Sequence, residues 1–166
     1  LLARELGVSP LGIKGSYAGA MGIPQFIPSS YRNYAVDFDG DRRRDLTDIE
    51  DAVGSVANFL RQHGWKRDEP VVGEVKLDGS MYAWLENNGP EPRISIQHLS
   101  NYGILPVQRI DARQLAALIV FEGETAPIHR LGYNNFYVIT RYNRSKNYSM
   151  AVVELSEMLH KLYYGE

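Results

Sequence analysis

Apolar residues recur at helical spacing most clearly between Ile49 and His63. There Ala52, Val53, Val56, Ala57 and Leu60 form a stripe, and Gly64 ends the run. Phe59 lies beside that stripe, where packing in a core is its simplest use. A second helical pattern runs from about Tyr148 to Leu162, with Ala151, Leu155, Met158 and Leu162 on one face and Val152 and Leu159 next to it. Shorter helices are predicted at residues 1–6, closed by Gly7, and from Pro28 to Tyr34, where proline suits a first turn. Between the long helices the period changes. Val71, Val75 and Leu77 alternate with polar residues, Met81 to Leu85 reads as a short strand or helical turn, and Asn88-Gly89-Pro90 as a turn. Ser95 to Tyr102 fits either a short helix or a strand. Gln114 to Glu122 reads as a buried strand bounded by Gly123. Helices, a β insert and more helices predict an α+β fold. The parts are residues 1–64 as a helical core, 65–126 as a small antiparallel β insert and 127–166 as a helical return to the core.

Composition narrows this picture only a little. A chain of 166 residues can bury one sizeable core. A net charge of −2 argues against a nucleic-acid partner. There is no cysteine, hence no disulfide and no thiolate metal site. No apolar run is long enough to span a bilayer. The chain opens without Met on what reads as the end of a helix, so a further N-terminal segment is expected upstream.

The chemistry is concentrated between Lys14 and Asp51. Asp37, Asp39 and Asp41 alternate around Gly40, a spacing that turns carboxylates inward on one centre, where a hard cation relieves their repulsion. The seventh position, Arg43, offers its backbone carbonyl. The loop departs from the standard EF-hand pattern, with Arg42 at position six and Asp48 at position twelve. Asp48 is a good N-cap for the next helix, so Asp51 is the preferred closing ligand, with Asp48 the second choice. The expected metal set is therefore Asp37, Asp39, Asp41, Arg43 and Asp51, holding a structural calcium ion. A solvated loop neutralised by Arg42, Arg43 and Arg44 is the competing reading.

Just before that loop, Ser16, Met21, Gln25 and Phe26 sit in a Gly/Ala/Pro-rich stretch suited to a groove wall. Tyr17, Tyr133, Asn134, Tyr142, Asn143 and Tyr148 join Gln25 and Phe26 as aromatic and amide groups of the kind that bind sugar rings. No convincing general acid stands in the chain. Glu122 and Glu124 follow a buried strand but belong to a Gly-containing turn that reads as solvated. The four histidines share no metal spacing.

Two long motifs carry a resemblance. Gly15-Ser16-Tyr17-Ala18-Gly19-Ala20-Met21-Gly22-Ile23-Pro24-Gln25-Phe26-Ile27-Pro28 continues to Tyr34-Ala35-Val36-Asp37, and Asn135-Phe136-Tyr137-Val138-Ile139-Thr140-Arg141-Tyr142-Asn143-Arg144-Ser145 continues to Tyr148. Together they resemble the membrane-bound lytic transglycosylase B family over nearly the whole chain. The resemblance implies a lysozyme-like, mainly helical core with a small β part and an EF-hand-like calcium loop. It implies a periplasmic enzyme that cuts the β-1,4 bond between N-acetylmuramic acid and N-acetylglucosamine of peptidoglycan without water, leaving a 1,6-anhydro end. In this family one Glu acts as acid and then base, an exception to the two-carboxylate rule. That Glu stands in a Glu-Ser or Glu-Thr pair before the glycine-rich motif, and nothing in residues 1–15 fits. The chain by itself is thus expected to be inactive, its acid lying upstream of Leu1. Carried over by motif, Ser16 and Gln25 orient the acid or an N-acetyl sugar, Met21 and Phe26 line the groove, and Phe59 stacks where relatives carry Tyr. Tyr142 bonds near the Glu, with Asn143 and Tyr148 close by. The expected partners are peptidoglycan strands and the missing N-terminal segment, the protein is expected to be a monomer, and an upstream lipid anchor to the outer membrane is left open. A non-catalytic peptidoglycan-binding module and a calcium-fastened structural domain are the alternatives.

Overall fold

The structure is a computed structural model, and it describes residues 2–7, 9, 11–12 and 14–165. Leu1, the first residue of the expected N-terminal helix, lies outside them. The chain divides into two compact units, Leu1–Gln62 and His63–Glu166. This differs from the expected three-part division, because residues 128–132 form a strand inside the sheet.

The first unit holds three helices, α1 (Leu2–Glu5), α2 (Pro28–Tyr34) and α3 (Ile49–Gln62). Pro28 opens α2, where its missing N–H is no loss. Arg32 on α2 pairs with Glu5 of α1 at 2.6 Å. The buried face of α3 is not the predicted stripe. Asp51, Ala52, Gly54, Ser55 and Phe59 are buried, whereas Val53 is 59% exposed. The reason is polar: the segment after α2 lies on α3 as irregular chain, and its backbone needs partners. Ser55 Oγ accepts from Val36 N–H at 3.0 Å, and Asn58 Nδ2 donates to Tyr34 O at 2.9 Å. Gly54 admits the Phe38 ring so closely that a Cβ there would stand 2.6 Å from it.

The second unit is built on a five-stranded antiparallel sheet. Its strands are β1 (Val72–Leu77), β2 (Ile94–Ser95), β3 (Ile104–Pro106), β4 (Leu115–Phe121) and β5 (Ile128–Gly132), in the order β2-β4-β5-β1-β3. The register pairs Leu118 with Leu131 and Gly73 with Leu131 on the other side, so β5 is the central strand. Residues 116–119 of β4 are all buried, since both faces of the sheet are covered. Ala116 and Leu118 join Leu131, Ile104, Leu99 and Leu85 in one core. Ala117 and Ile119 join Phe136, Ile139 and Val153 in the other. The first core is closed by short helical turns at Met81–Leu85 and Ser100–Tyr102 and by α4 (Ile96–Leu99). The second is closed by α5 (Asn134–Tyr142) and α6 (Lys146–Tyr164). Asn135, fully buried on α5, staples the entry loop: its Oδ1 accepts from Lys66 N–H at 2.9 Å, and its Nδ2 donates to Lys66 O and Glu69 O. The predicted apolar face of α6 is not buried. Leu155, Met158 and Leu162 are all more than half exposed, and Ser149 and Val153 are the residues that face the core.

Candidate functional site

Residues 21–26 form a tight hairpin. Met21 and Phe26 exchange backbone hydrogen bonds, Met21 N–H donating at 2.9 Å and Phe26 N–H at 3.1 Å. Gly22 sits at φ +65°, and a Cβ there would meet Leu46 at 2.4 Å, so glycine is required on both counts. Gln25 also has a left-handed backbone, φ +54°, which costs a non-glycine residue of order 1 kcal/mol. The hairpin holds it there: Gln25 Nε2 donates to Gly22 O at 2.8 Å. Ser16 orders the turn just before, its Oγ accepting from Ala20 N–H at 3.2 Å. Ile23 N–H donates to Leu46 O at 2.8 Å, which fastens the hairpin to the end of the acidic loop. Phe26 and Phe59 are both buried, with ring centroids 6.0 Å apart, and Tyr34 meets Phe59 edge-on at 4.8 Å. These rings pack together in the interior of the first unit, while Ser16 and Gln25 stand exposed and Met21 half-buried.

Asp51 organises the acidic loop. It is 1% exposed, and its two oxygens accept from opposite ends of the loop, Phe38 N–H at 2.6 Å and Asp45 N–H at 2.7 Å. The Phe38 N–H, with those of Asp45 and Asp39, holds its carboxyl below the usual range despite burial. Asp37 accepts from Gly40 N–H and Arg42 N–H. Carboxylate oxygens of Asp37, Asp39 and Asp51 lie within 4.8 Å of one another. The Asp41 N–H lowers the pKa of Asp39, but desolvation and the neighbouring carboxylates of Asp41, Asp51 and Asp37 outweigh it, and the net shift is upward. Such mutual destabilisation of charge is what a bound cation relieves, and an all-oxygen donor set suits a hard one. Asp48 caps α3, its Oδ1 accepting from Glu50 N–H at 2.8 Å and Asp51 N–H at 3.2 Å. Asp41 is turned to its own loop, accepting from Arg43 N–H at 2.7 Å, and is not among the three convergent groups.

In the second unit Tyr142 and Tyr148 stack with rings 2° from parallel and centroids 6.5 Å apart. Burial, with a smaller contribution from Tyr148, pushes the Tyr142 hydroxyl up to about 12. Asn143 sits between them in sequence and accepts from Ser145 N–H at 3.1 Å; Ser145 in turn caps α6 by accepting from Tyr148 N–H at 3.2 Å. The cap therefore fixes where Tyr148 starts the helix and hence its stacking on Tyr142.

A family model described as the transglycosylase SLT domain matches residues 1–157. The chain belongs to that family. It is 43% identical over 157 residues to membrane-bound lytic murein transglycosylase B of Escherichia coli K12, covering 95% of this chain and 42% of the relative. The chain thus spans less than half the length of that curated relative. Among solved structures it is similar to the catenated lytic transglycosylase SltB1 of Pseudomonas aeruginosa, with 43% identity, a TM-score of 0.90, and coverage of 97% of this chain and 53% of the other. It is also similar to the Escherichia coli lytic transglycosylase Slt35 in complex with calcium, with 42% identity, a TM-score of 0.85, and coverage of 94% and 49%. The lysozyme-like α+β fold of these transglycosylases is the fold of this chain.

As a member of the SLT domain family, the chain places its predicted site residues in two sets. Ser16, Met21, Gln25, Phe26 and Phe59 share the first unit with the acidic loop, and Tyr142, Asn143 and Tyr148 share the second. Two sugar-type residues have other work. Tyr133 is 3% exposed and packs in the sheet's first core, and Asn134 Nδ2 donates to Gly64 O at 2.7 Å. Sequence reasoning passed over Asn135, and it passed over the half-buried pair of His129 Nε2 and Glu86 Oε1 at 2.7 Å, with Tyr82 edge-on to the imidazole. The two are 43 positions apart and no spacing could have joined them. Among the described residues no glutamate is buried.

Proposed function

We propose that this chain is the larger part of a lytic transglycosylase that cleaves the MurNAc-β-1,4-GlcNAc bond of peptidoglycan without water and leaves 1,6-anhydroMurNAc ends. The observation that carries the reading is the family match over residues 1–157, with 43% identity to a murein transglycosylase. The acid–base glutamate belongs to the part of the relatives' length that this chain does not span. Such a group needs a raised pKa from burial, and no described glutamate is buried. Ser16 and Gln25 serve as polar contacts to the acid or an N-acetyl sugar, with Met21 as an apolar one. Tyr142, kept protonated by its surroundings, is a hydrogen-bond donor at any physiological pH. Tyr148 and Asn143 act with it, and Phe26 and Phe59 act from the interior of the first unit.

Calcium is the proposed occupant of the acidic loop, held by Asp37, Asp39 and Asp51, with Asp41 and the Arg43 carbonyl drawn in when the ion binds. Its contribution is structural, since it ties the loop to the first turn of α3. The relative solved with calcium supports this choice. The proposed location is the bacterial periplasm, at the outer membrane.

The test is mass spectrometry of murein sacculi after incubation with this chain and with a protein of the relatives' length. Anhydromuropeptides from the longer protein alone are expected. Anhydromuropeptides from this chain alone would put an acid inside it and overturn the assignment. Glycan binding without product from either would leave a peptidoglycan-binding module.

A further inference from the structure

Trp84 stands 80% exposed on the short helical turn Met81–Leu85, an unfavourable place for a large indole in water. The turn repeats every three residues, so Met81, also more than half exposed, lies on the same side as Trp84. The same hydrogen-bond pattern runs on past the turn: Glu86 N–H donates to Ala83 O at 3.4 Å and Asn88 N–H to Leu85 O at 3.3 Å. Asn87 therefore follows one turn after Trp84, and it too is exposed. The opposite side is anchored. Leu85 is buried and Tyr82 packs against the sheet's first core. Glu86 is the one charged residue from Gly79 to Pro90, and it is engaged by His129 Nε2 at 2.7 Å, with Tyr82 edge-on to that imidazole. The outward side thus shows a thioether, an indole and an amide without a charge among them, on a turn held from behind.

We propose that Met81, Trp84 and Asn87 form a platform that holds an N-acetyl sugar of a glycan strand. A pyranose ring has an apolar face of C–H groups for the indole to cover, and its hydroxyl and acetamido groups pair with a side-chain amide that both donates and accepts. Asn87 also borders an open hollow of about 460 Å³, which Glu122, Glu124, Thr125 and Lys146 line as well. The hydroxyls of a neighbouring sugar find acceptors and donors there. Charge selects this ligand over others that an exposed tryptophan could meet. The carboxylates of Glu122 and Glu124 are exposed beside the platform, and Lys146 is engaged in donating to Val120 O. That balance opposes a phosphate backbone or an anionic lipid surface and leaves an uncharged sugar unopposed. The inference rests on the peptidoglycan reading proposed above, and it adds a place in the second unit where the strand is held and no bond is broken.

The chain has two tryptophans, Trp65 and Trp84, so Trp65→Phe leaves the platform indole as the sole emitter. Its fluorescence is followed as the hexamer of β-1,4-linked N-acetylglucosamine is added. A saturable blue shift is the expected result. By calorimetry, Trp84→Ala and Asn87→Ala are each expected to weaken hexamer binding about fivefold, and Trp84→Phe to recover most of the loss. If Trp65→Phe folds poorly, the difference in emission between the parent and Trp84→Ala gives the same reading. Emission that ignores the hexamer, or affinity unchanged by Trp84→Ala, overturns the proposal. A blue shift with phosphatidylglycerol vesicles and none with the hexamer also overturns it, in favour of a membrane contact. In a protein of the relatives' length, Trp84→Ala is expected to lower retention on murein sacculi, and equal retention overturns the platform. The transglycosylase reading is judged apart from this, by anhydromuropeptides. Their release without a response at Trp84 overturns the platform alone, whereas a response at Trp84 without their release supports the platform and overturns that activity.

Discussion

Asp51 does two things at once. Its carboxylate draws the N–H groups of Phe38 and Asp45 together, and it presents charge to Asp37 and Asp39. Replacing it with Asn keeps the size but removes the charge and leaves one oxygen where there were two acceptors. Asp51→Asn is therefore expected to lower the melting temperature and to abolish any further rise on adding calcium; a variant still stabilised by calcium as the parent is would show that Asp51 is no ligand. Tyr142 is expected to titrate near 12 by ultraviolet absorbance, against 10.0 for an ordinary tyrosine. The sign follows from linkage: the folded state holds this proton more tightly than the unfolded one, so the stability it contributes is complete below pH 10 and is lost as pH rises toward 12. Tyr142→Phe should remove that titration step. The polar identity of both residues was readable, but only packing reveals that one carboxylate is buried and one phenol shielded.

At the scale of elements, the buried polar side chain decides more than the apolar stripe. Asn135 makes three hydrogen bonds to the backbone of Lys66 and Glu69 from a fully buried position. Asn135→Ala strands one N–H and two carbonyls, and is expected to cost about 3 kcal/mol in denaturant unfolding. A loss below about 1 kcal/mol would mean that water replaces the amide. The helix α3 shows why sequence could not place its buried face. Periodicity found the helix within a residue of its end, but the face is selected by irregular chain whose backbone seeks Ser55, Asn58 and Asp51. Strand β5 was missed for a related reason. Ile128-His129-Arg130-Leu131-Gly132 has no clean alternation, and it is a strand because β1 and β4 pair with it on both sides.

At the scale of the molecule, the candidate site residues fall in both units. The first unit holds the acidic loop and the Met21–Phe26 hairpin, fastened together through Ile23 and Leu46. Calcium bound to it should therefore slow amide exchange through residues 36–51 and through the hairpin. At a hundredfold excess over its dissociation constant, the stabilisation amounts to about 2.7 kcal/mol. Magnesium, which dehydrates reluctantly, should do much less. Exchange unaltered by calcium would remove the structural role proposed for the ion. The second unit supplies the stacked tyrosines and, on α6, the uncovered apolar face.

The sequence by itself determined the long helices α3 and α6, strand β4, the acidic loop and the family, because these are written locally: in period, in residue spacing and in long contiguous motifs. It also determined that a broad apolar stripe runs along the last helix. Tertiary structure alone decided which side of each helix is buried, that Asp51 and not Asp48 joins Asp37 and Asp39, and that Phe26 and Phe59 are buried. It alone showed that the stripe on α6 is exposed among the described residues. Burial and convergence are properties of what comes from elsewhere in the chain, and residues far apart in sequence leave no local trace of the neighbour they will meet.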